Sequence, residues 1–201
     1  MLPLLIATNN KGKIEELQDL LKGMGIELVT SAQIGLDLDV TEDGVTYIEN
    51  ASKKAIAFAK ASGLISLADD SGLEVDALDG APGLYSARYG STNEGKLSDA
   101  ERRKILIQNL NDKPRPWTAR FKATIAIALP NNQIQSTEGI CEGEIIPEER
   151  GTSGFGYDPI FLFPELGKTM AELSMEEKNR LSHRAKAVMK AKGILKALLS
   201  K

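Results

Sequence analysis

An α/β fold built on a mixed sheet is what this sequence predicts, and two patterns predict it. In the N-terminal third, short apolar runs alternate with amphipathic stretches of helical period, the strand–helix rhythm that builds parallel pairs. In the middle, two strand-like segments meet at Pro130-Asn131-Asn132, and a hairpin makes its strands antiparallel. Both pairings in one chain mean a mixed sheet. A chain of 201 residues suits one large domain, or one domain with two lobes, around a real core.

The elements follow in order. Leu4 to Thr8 is a short apolar run, read as a buried strand. From Lys11, the residues Ile14, Leu17, Leu20, Leu21 and Met24 recur at helical spacing, and Gly25 ends the helix. Ile26 to Thr30 reads as a second strand, and 31–45 as an acidic loop. Thr46 to Ser62 carries Ile48, Ala51, Ala55, Phe58 and Ala59 on one stripe, and Gly63 closes that helix. Ile65 to Ala68 is a short strand running into Asp69-Asp70-Ser71-Gly72. Asp79-Gly80-Ala81-Pro82-Gly83 is turn chemistry. Ser98 to Leu110 reads as a helix. Phe121, Ala123, Ile125, Ile127 and Leu129 alternate with small or polar residues, which is a strand with one larger apolar face. After the turn, Ile134 to Gly143 returns. Gly151 to Asp158 is a glycine-rich loop, and Ile160 to Phe163 a strand. Ser174-Met175-Glu176-Glu177 matches a capping box, and Ser182 caps a last helix with Val188, Met189, Leu195, Leu198 and Leu199.

Composition excludes several classes. The chain is 42% hydrophobic and 26% charged, with a net charge of −3. Nucleic acid and anionic membranes call for a broad basic surface, so neither is an expected partner. A small phosphorylated ligand needs only a few local lysines. The single cysteine, Cys141, permits no intramolecular disulfide and fits a reducing compartment. The apolar N-terminus lacks a basic flank and turns polar at Thr8, so it reads as a strand rather than a signal peptide. No apolar run reaches the roughly 20 residues of a membrane-spanning helix. The expected location is the cytoplasm.

Five constellations could carry chemistry, and each has an ordinary structural reading beside it. Thr8-Asn9-Asn10-Lys11-Gly12-Lys13 joins a strand to a helix. Unpaired amides at a helix start, with Lys13, suit phosphate; a plain helix cap uses the same residues. Asp69 and Asp70 close a strand, where carboxylates suit Mg²⁺; an acidic turn is the alternative. Strand alternation puts Asp69 with Ile65 and Leu67, and Asp70 with Ser66 and Ala68. The small-residue face leaves room for a ligand and favours Asp70 as the catalytic group. Glu42, Glu49, Asn50 and Lys54 combine a loop carboxylate with a helix face, for metal and phosphate or for surface ion pairs. In the loop 151–158, glycines let the backbone approach a flat ligand and Phe155 could stack on a base; core packing of its aromatics is the alternative. Lys178, with the lone histidine His183 and Arg184, closes the set.

Taken together these segments resemble the inosine triphosphate pyrophosphatase family. The motifs are Thr8-Asn9-Asn10-x-x-Lys13, Tyr47-Ile48-Glu49-Asn50, Ala68 to Leu73, Gly80-Ala81-Pro82-Gly83-x-Tyr85-Ser86-Ala87-Arg88, Gly154 to Pro159, and Leu181-Ser182-His183-Arg184. They occur in order over nearly the whole chain. The resemblance implies a single domain over 1–201, an elongated mixed sheet with flanking helices forming two lobes around a central cleft. It also implies a homodimer and Mg²⁺ dependence. Asp70 then resembles the proton acceptor and a metal ligand, with Glu42 the second metal position. Thr8, Asn9, Asn10, Lys11, Gly12, Lys13, Lys54, Ser71 and Lys178 match phosphate or sugar contacts. Phe155, Gly156, Tyr157, Asp158, His183 and Arg184 match a base pocket.

The implied reaction hydrolyses damaged purine nucleoside triphosphates (ITP, dITP, XTP) to monophosphate and pyrophosphate. Hypoxanthine and xanthine present a 6-oxo acceptor where adenine presents an amine, and Arg184 can only donate. On that reasoning Arg184 selects the base. The related Maf-like pyrophosphatases, which favour pyrimidine or methylated substrates, share the early Asn-x-x-Lys form. The segments at 155–158 and 183–184 favour the purine family. A nucleotide-binding regulator without turnover is disfavoured by the intact Asp70, Glu42 and Lys13.

Overall fold

The computed structural model describes residues 2–91, 95 and 97–199. Seven strands lie in one sheet in the order β2-β1-β3-β4-β5-β6-β7. β1 (Leu2–Ile6) pairs in parallel with β2 (Ile26–Thr30) and with β3 (Ile65–Val75). β4 (Trp117–Ala128) and β5 (Ile134–Ile145) form the hairpin. β6 (Phe161–Phe163) runs antiparallel to β5 and to β7 (Lys168–Thr169). The mixed sheet expected from the sequence is thus present. The helices are α1 (Lys11–Leu21), α2 (Tyr47–Ser62), α3 (Asp99–Leu110), α4 (Met175–Leu181) and α5 (His183–Leu199).

The chain divides into two compact units. One comprises Met1–Asp70, Ala123–Gly139 and His183–Lys201, the other Ser71–Lys122 and Ile140–Ser182. In the first, Leu4, Ile6, Leu67, Ile125 and Ile127 meet the apolar stripes of α1 and α5. On the opposite face, Leu5, Ala68, Ala126 and Ala128 meet Ala51, Ala55 and Phe58 of α2. The second unit has its own core, in which Leu106 and Leu110 of α3 pack with Trp117, Phe121, Phe161 and Phe163. Phe121 and Phe161 stack at a tilt, with centroids 4.7 Å apart.

Several elements depart from the sequence reading. β3 does not end at Ala68 but continues to Val75, so Asp69-Asp70-Ser71-Gly72 is strand rather than turn. The second face of β4 is also buried, because Ala126 and Ala128 are small enough to seat α2 closely. On α2 the buried stripe passes through Asn50 and Lys54, while Ile48 is exposed. On α5, Met189 is likewise exposed. Residues 158–160 form a 3₁₀ turn before β6, and another 3₁₀ turn spans Gly83–Arg88. Thr46, Ser98 and Ser174 cap α2, α3 and α4, the last two through reciprocal capping boxes. Gly139 on β5 lies against the start of α5. A Cβ there would sit 2.1 Å from the His183 carbonyl oxygen, so no side chain fits without moving backbone.

Candidate functional site

In the first unit, the turn from β1 to α1 is built by its own polar residues. Asn10 is the N-cap, and its Oδ1 accepts from Lys13 N at 3.1 Å. Thr8 Oγ1 accepts from Asn10 N at 3.2 Å, and Asn9 Oδ1 accepts from Ser31 Oγ at 2.9 Å. The Asn10 carboxamide oxygen thus serves the helix cap. Asn9, Asn10 and Lys11 remain exposed, with Gly12 and Lys13 half-buried behind them.

Asp69 organises what lies beneath. It is 0% exposed, and Lys13 Nζ lies 2.5 Å from its Oδ1. Its main-chain carbonyl accepts from Lys13 Nζ at 3.3 Å and from Lys54 Nζ at 3.2 Å. Two ammonium groups, from α1 and α2, therefore converge on one backbone oxygen of β3. Lys54 is also paired with Glu42. The loop before α2 is tied to the helix by Gly44 N donating to Asn50 Oδ1 and Val45 N to Glu49 Oε2, each at 2.8 Å. Asn50 and Glu49 therefore hold the loop that carries Glu42.

Asp70 is 8% exposed and lies on the face of β3 opposite Asp69, as strand alternation dictates. Burial pushes its carboxyl above the usual carboxylate range, and the charges of Glu42 and Asp69 add to the rise against Lys13 and Lys54. Asp69 behaves in the opposite way. Burial alone would raise it, but Arg184 and Lys13 outweigh burial and hold it well below the usual range.

Arg184 is 1% exposed at the start of α5. Its Nε donates to Asp69 Oδ2 at 2.9 Å, and its NH1 pairs with Glu16 of α1. The sequence reading set Arg184 against a base; the structure directs these donors to two carboxylates of its own unit. The physical reason is that a buried guanidinium must be compensated by charge. Glu16 escaped that reading. The signal was there, because Glu16 sits three residues after Lys13 on the same helical stripe as Leu17 and Leu20, where a carboxylate needs a partner. His183, beside it, is also buried.

In the second unit, the glycine-rich segment forms a tight loop. Gly154 (φ +79°) and Gly156 (φ +60°) flank Phe155 in the left-handed region, which favours glycine. Asp158, buried, accepts at Oδ2 from Phe155 N at 2.9 Å and from Lys178 Nζ at 2.7 Å. A Cβ on Gly154 would fall 2.1 Å from that same oxygen. Lys178 Nζ stands 5.4 Å from the centroid of the Phe155 ring, within cation–π range. Tyr157 is buried and donates from its hydroxyl to the Ser86 carbonyl at 3.0 Å. Lys178, grouped by sequence with the phosphate contacts, thus sits with Phe155 and Asp158. Ser71 follows Asp70 on β3 and is half-buried.

No helix among the described residues is long and apolar enough to cross a membrane. The model of the Ham1 family matches residues 4–194. A protein of Desulforamulus reducens named dITP/XTP pyrophosphatase is 49% identical over 97% of this chain and 96% of its own. Another of that name, from Desulfotalea psychrophila, is 48% identical over 96% and 85%. The solved structure of a HAM1 protein from Coxiella burnetii superposes with a TM-score of 0.86, covering 98% of this chain and all of its own at 39% identity. The resemblance carried by the motifs is therefore borne out over almost the full length, and the chain belongs to the Ham1 family.

Proposed function

We propose that the chain hydrolyses damaged purine nucleoside triphosphates (dITP, ITP and XTP) to the monophosphate and pyrophosphate. One observation carries this reading: a buried carboxyl of raised basicity, Asp70, stands on β3 where Lys13 and Lys54 converge and Glu42 is paired. That is a base, two cations and a second acid gathered from four chain segments. The Ham1-family relatives named dITP/XTP pyrophosphatase support the substrate class.

The donor set fits Mg²⁺. Asp70 and Glu42 are hard oxygen donors, and the Glu42 charge adds to the cost of charging Asp70, a repulsion that a divalent cation relieves. Among the described residues no three acidic, histidine or cysteine side chains gather into a metal cage. Mg²⁺ needs none, because it takes one or two carboxylates and completes its shell with substrate oxygens and water. Bound there, it would offset charge on the phosphate oxygens.

The remaining chemistry belongs to the side chains. Asp70 takes a proton from the attacking water. The water oxygen bonds to the α-phosphorus, the bond from that phosphorus to the bridging oxygen breaks, and its electron pair leaves with pyrophosphate. Lys13 and Lys54, with the amides of Lys11 and Gly12 at the start of α1, hold the phosphates by fixed positive potential. Phe155 offers a stacking face to the purine. Lys178 beside it is a donor-only group suited to a 6-oxo acceptor. With Arg184 held by carboxylates, base selection moves to this loop. A cytoplasmic homodimer completes the reading.

The test is a digest of dITP with Mg²⁺, resolved by chromatography. Monophosphate and pyrophosphate are expected in equal amounts from the first time point. Accumulating diphosphate and orthophosphate would refute attack at the α-phosphorus. Including pyrimidine and methylated triphosphates in the same screen tests substrate class; faster turnover of those would favour the Maf-like alternative.

A further inference from the structure

The loop that carries Phe155 is gripped by the first two turns of α3. Gly156 N donates to Asp99 Oδ2 at 2.6 Å, and the Gly156 carbonyl accepts from Arg103 NH1 at 2.7 Å. Asp99 and Arg103 are four residues apart, so they share one helix face. Between them they bind both polar groups of a single glycine. Each gripping side chain is itself oriented. The Arg103 Nε and NH2 pair with the two oxygens of Glu149 at 2.9 and 2.8 Å, a bidentate fork. Asp99 offers its other oxygen to Arg102. The helix start is fixed by the Ser98–Glu101 capping box.

These contacts exceed what docking of α3 requires. The helix is already anchored by Leu106 and Leu110 in the core of its unit. Gly156, by contrast, has reason to be held. It and Gly154 both adopt left-handed backbone, and glycine loses the most conformational freedom on ordering. The residue between them is Phe155, whose amide is fixed by Asp158 on the other side.

We propose that Asp99 and Arg103 are positioning residues that lock the Gly156 peptide and thereby set the attitude of the Phe155 ring beneath the purine. This rests on the reading of Phe155 as the base platform. Neither residue touches substrate; both act through the loop. The effect belongs in binding of the base and not in bond cleavage at the α-phosphorus.

The experiment is a double-mutant cycle in the full chain, with R103A, F155A and R103A/F155A assayed on dITP and their melting temperatures recorded. R103A is expected to raise KM about five- to tenfold with kcat within about twofold. In the F155A background, adding R103A is expected to change KM by less than about twofold, because the two act as one unit. An undiminished effect of R103A in that background, or a loss in kcat with KM unchanged, overturns the inference while leaving the platform reading intact. A wild-type KM in F155A overturns the platform reading and this inference with it. If R103A fails to fold, D99N enters the same cycle with the same expected coupling.

Discussion

Replacing Asp70 by asparagine keeps the side chain's size and removes its capacity to take a proton. Turnover is expected to fall at least ~100-fold. Stability is expected to hold or rise, because the fold disfavours the charged form of this carboxyl. Asp69→Asn has the opposite profile. It removes the countercharge of Arg184 and Lys13 in a fully buried setting, at an expected cost of about 3–5 kcal/mol. Urea denaturation alongside initial rates separates the two variants. Equal stability loss in both would refute the division of labour. Arg184→Ala belongs with Asp69: activity on ITP and on ATP is expected to fall by a common factor, together with stability. An ITP-to-ATP ratio that collapses in a stable R184A protein would return Arg184 to base selection. The sequence made the alternation of Asp69 and Asp70 legible, with Ser66 and Ala68 on the face of Asp70, and β3 keeps that alternation. It could not reveal that Arg184 is spent on Glu16 and Asp69, because partners 168 and 115 positions away are set by tertiary packing.

At the scale of elements, local signals worked where local physics decides. The strand β2, the helix starts at Thr46 and Ser98, the capping box at Ser174 and the turn at 130–132 follow from short-range patterns. The extent of β3 was not legible. Asp-Asp-Ser-Gly is turn chemistry in isolation, and only pairing within the sheet keeps it extended. Ile48 leaves the expected stripe of α2 and Lys54 joins it, because the buried lysine has Glu42 and the Asp69 carbonyl as partners. Glu177 offers a test of one cap. Its bonds to Lys168 and to the Ser174 amide lower its carboxyl to about 2 from an ordinary 4.5. Its contribution to stability is therefore present above the unfolded value and lost as pH falls from about 4.5 toward 2. The stability difference between wild type and Glu177→Gln, measured by denaturation at successive pH values, should be largest above pH ~5 and vanish near pH ~2. A difference independent of pH would show that the carboxylate charge does not support α4.

At the scale of the whole molecule, the division into two units was not visible as any linker, because the chain passes between them inside the strands β3, β4 and β5 and at the short Ser182–His183 junction of α4 and α5. The proposed homodimer predicts a mass of twice 21.7 kDa by light scattering; a single-chain mass at micromolar concentration would refute it. Net charge offers a second view of the same molecule. The chain is acidic overall at −3, yet its proposed substrate is a polyanion. The structure resolves this locally, with Lys13 already matched by Asp69 and Lys54 by Glu42. Each cation proposed to hold phosphate thus rests in an ion pair, and an arriving anion would have to exchange partners instead of meeting an open charge. A lone orthophosphate or chloride offers too few contacts to break two pairs at once, while a triphosphate tail can engage both lysines together. On the proposed mechanism the paired lysines would act as a threshold, at which simple anions leave both ion pairs intact and a long phosphate chain exchanges them.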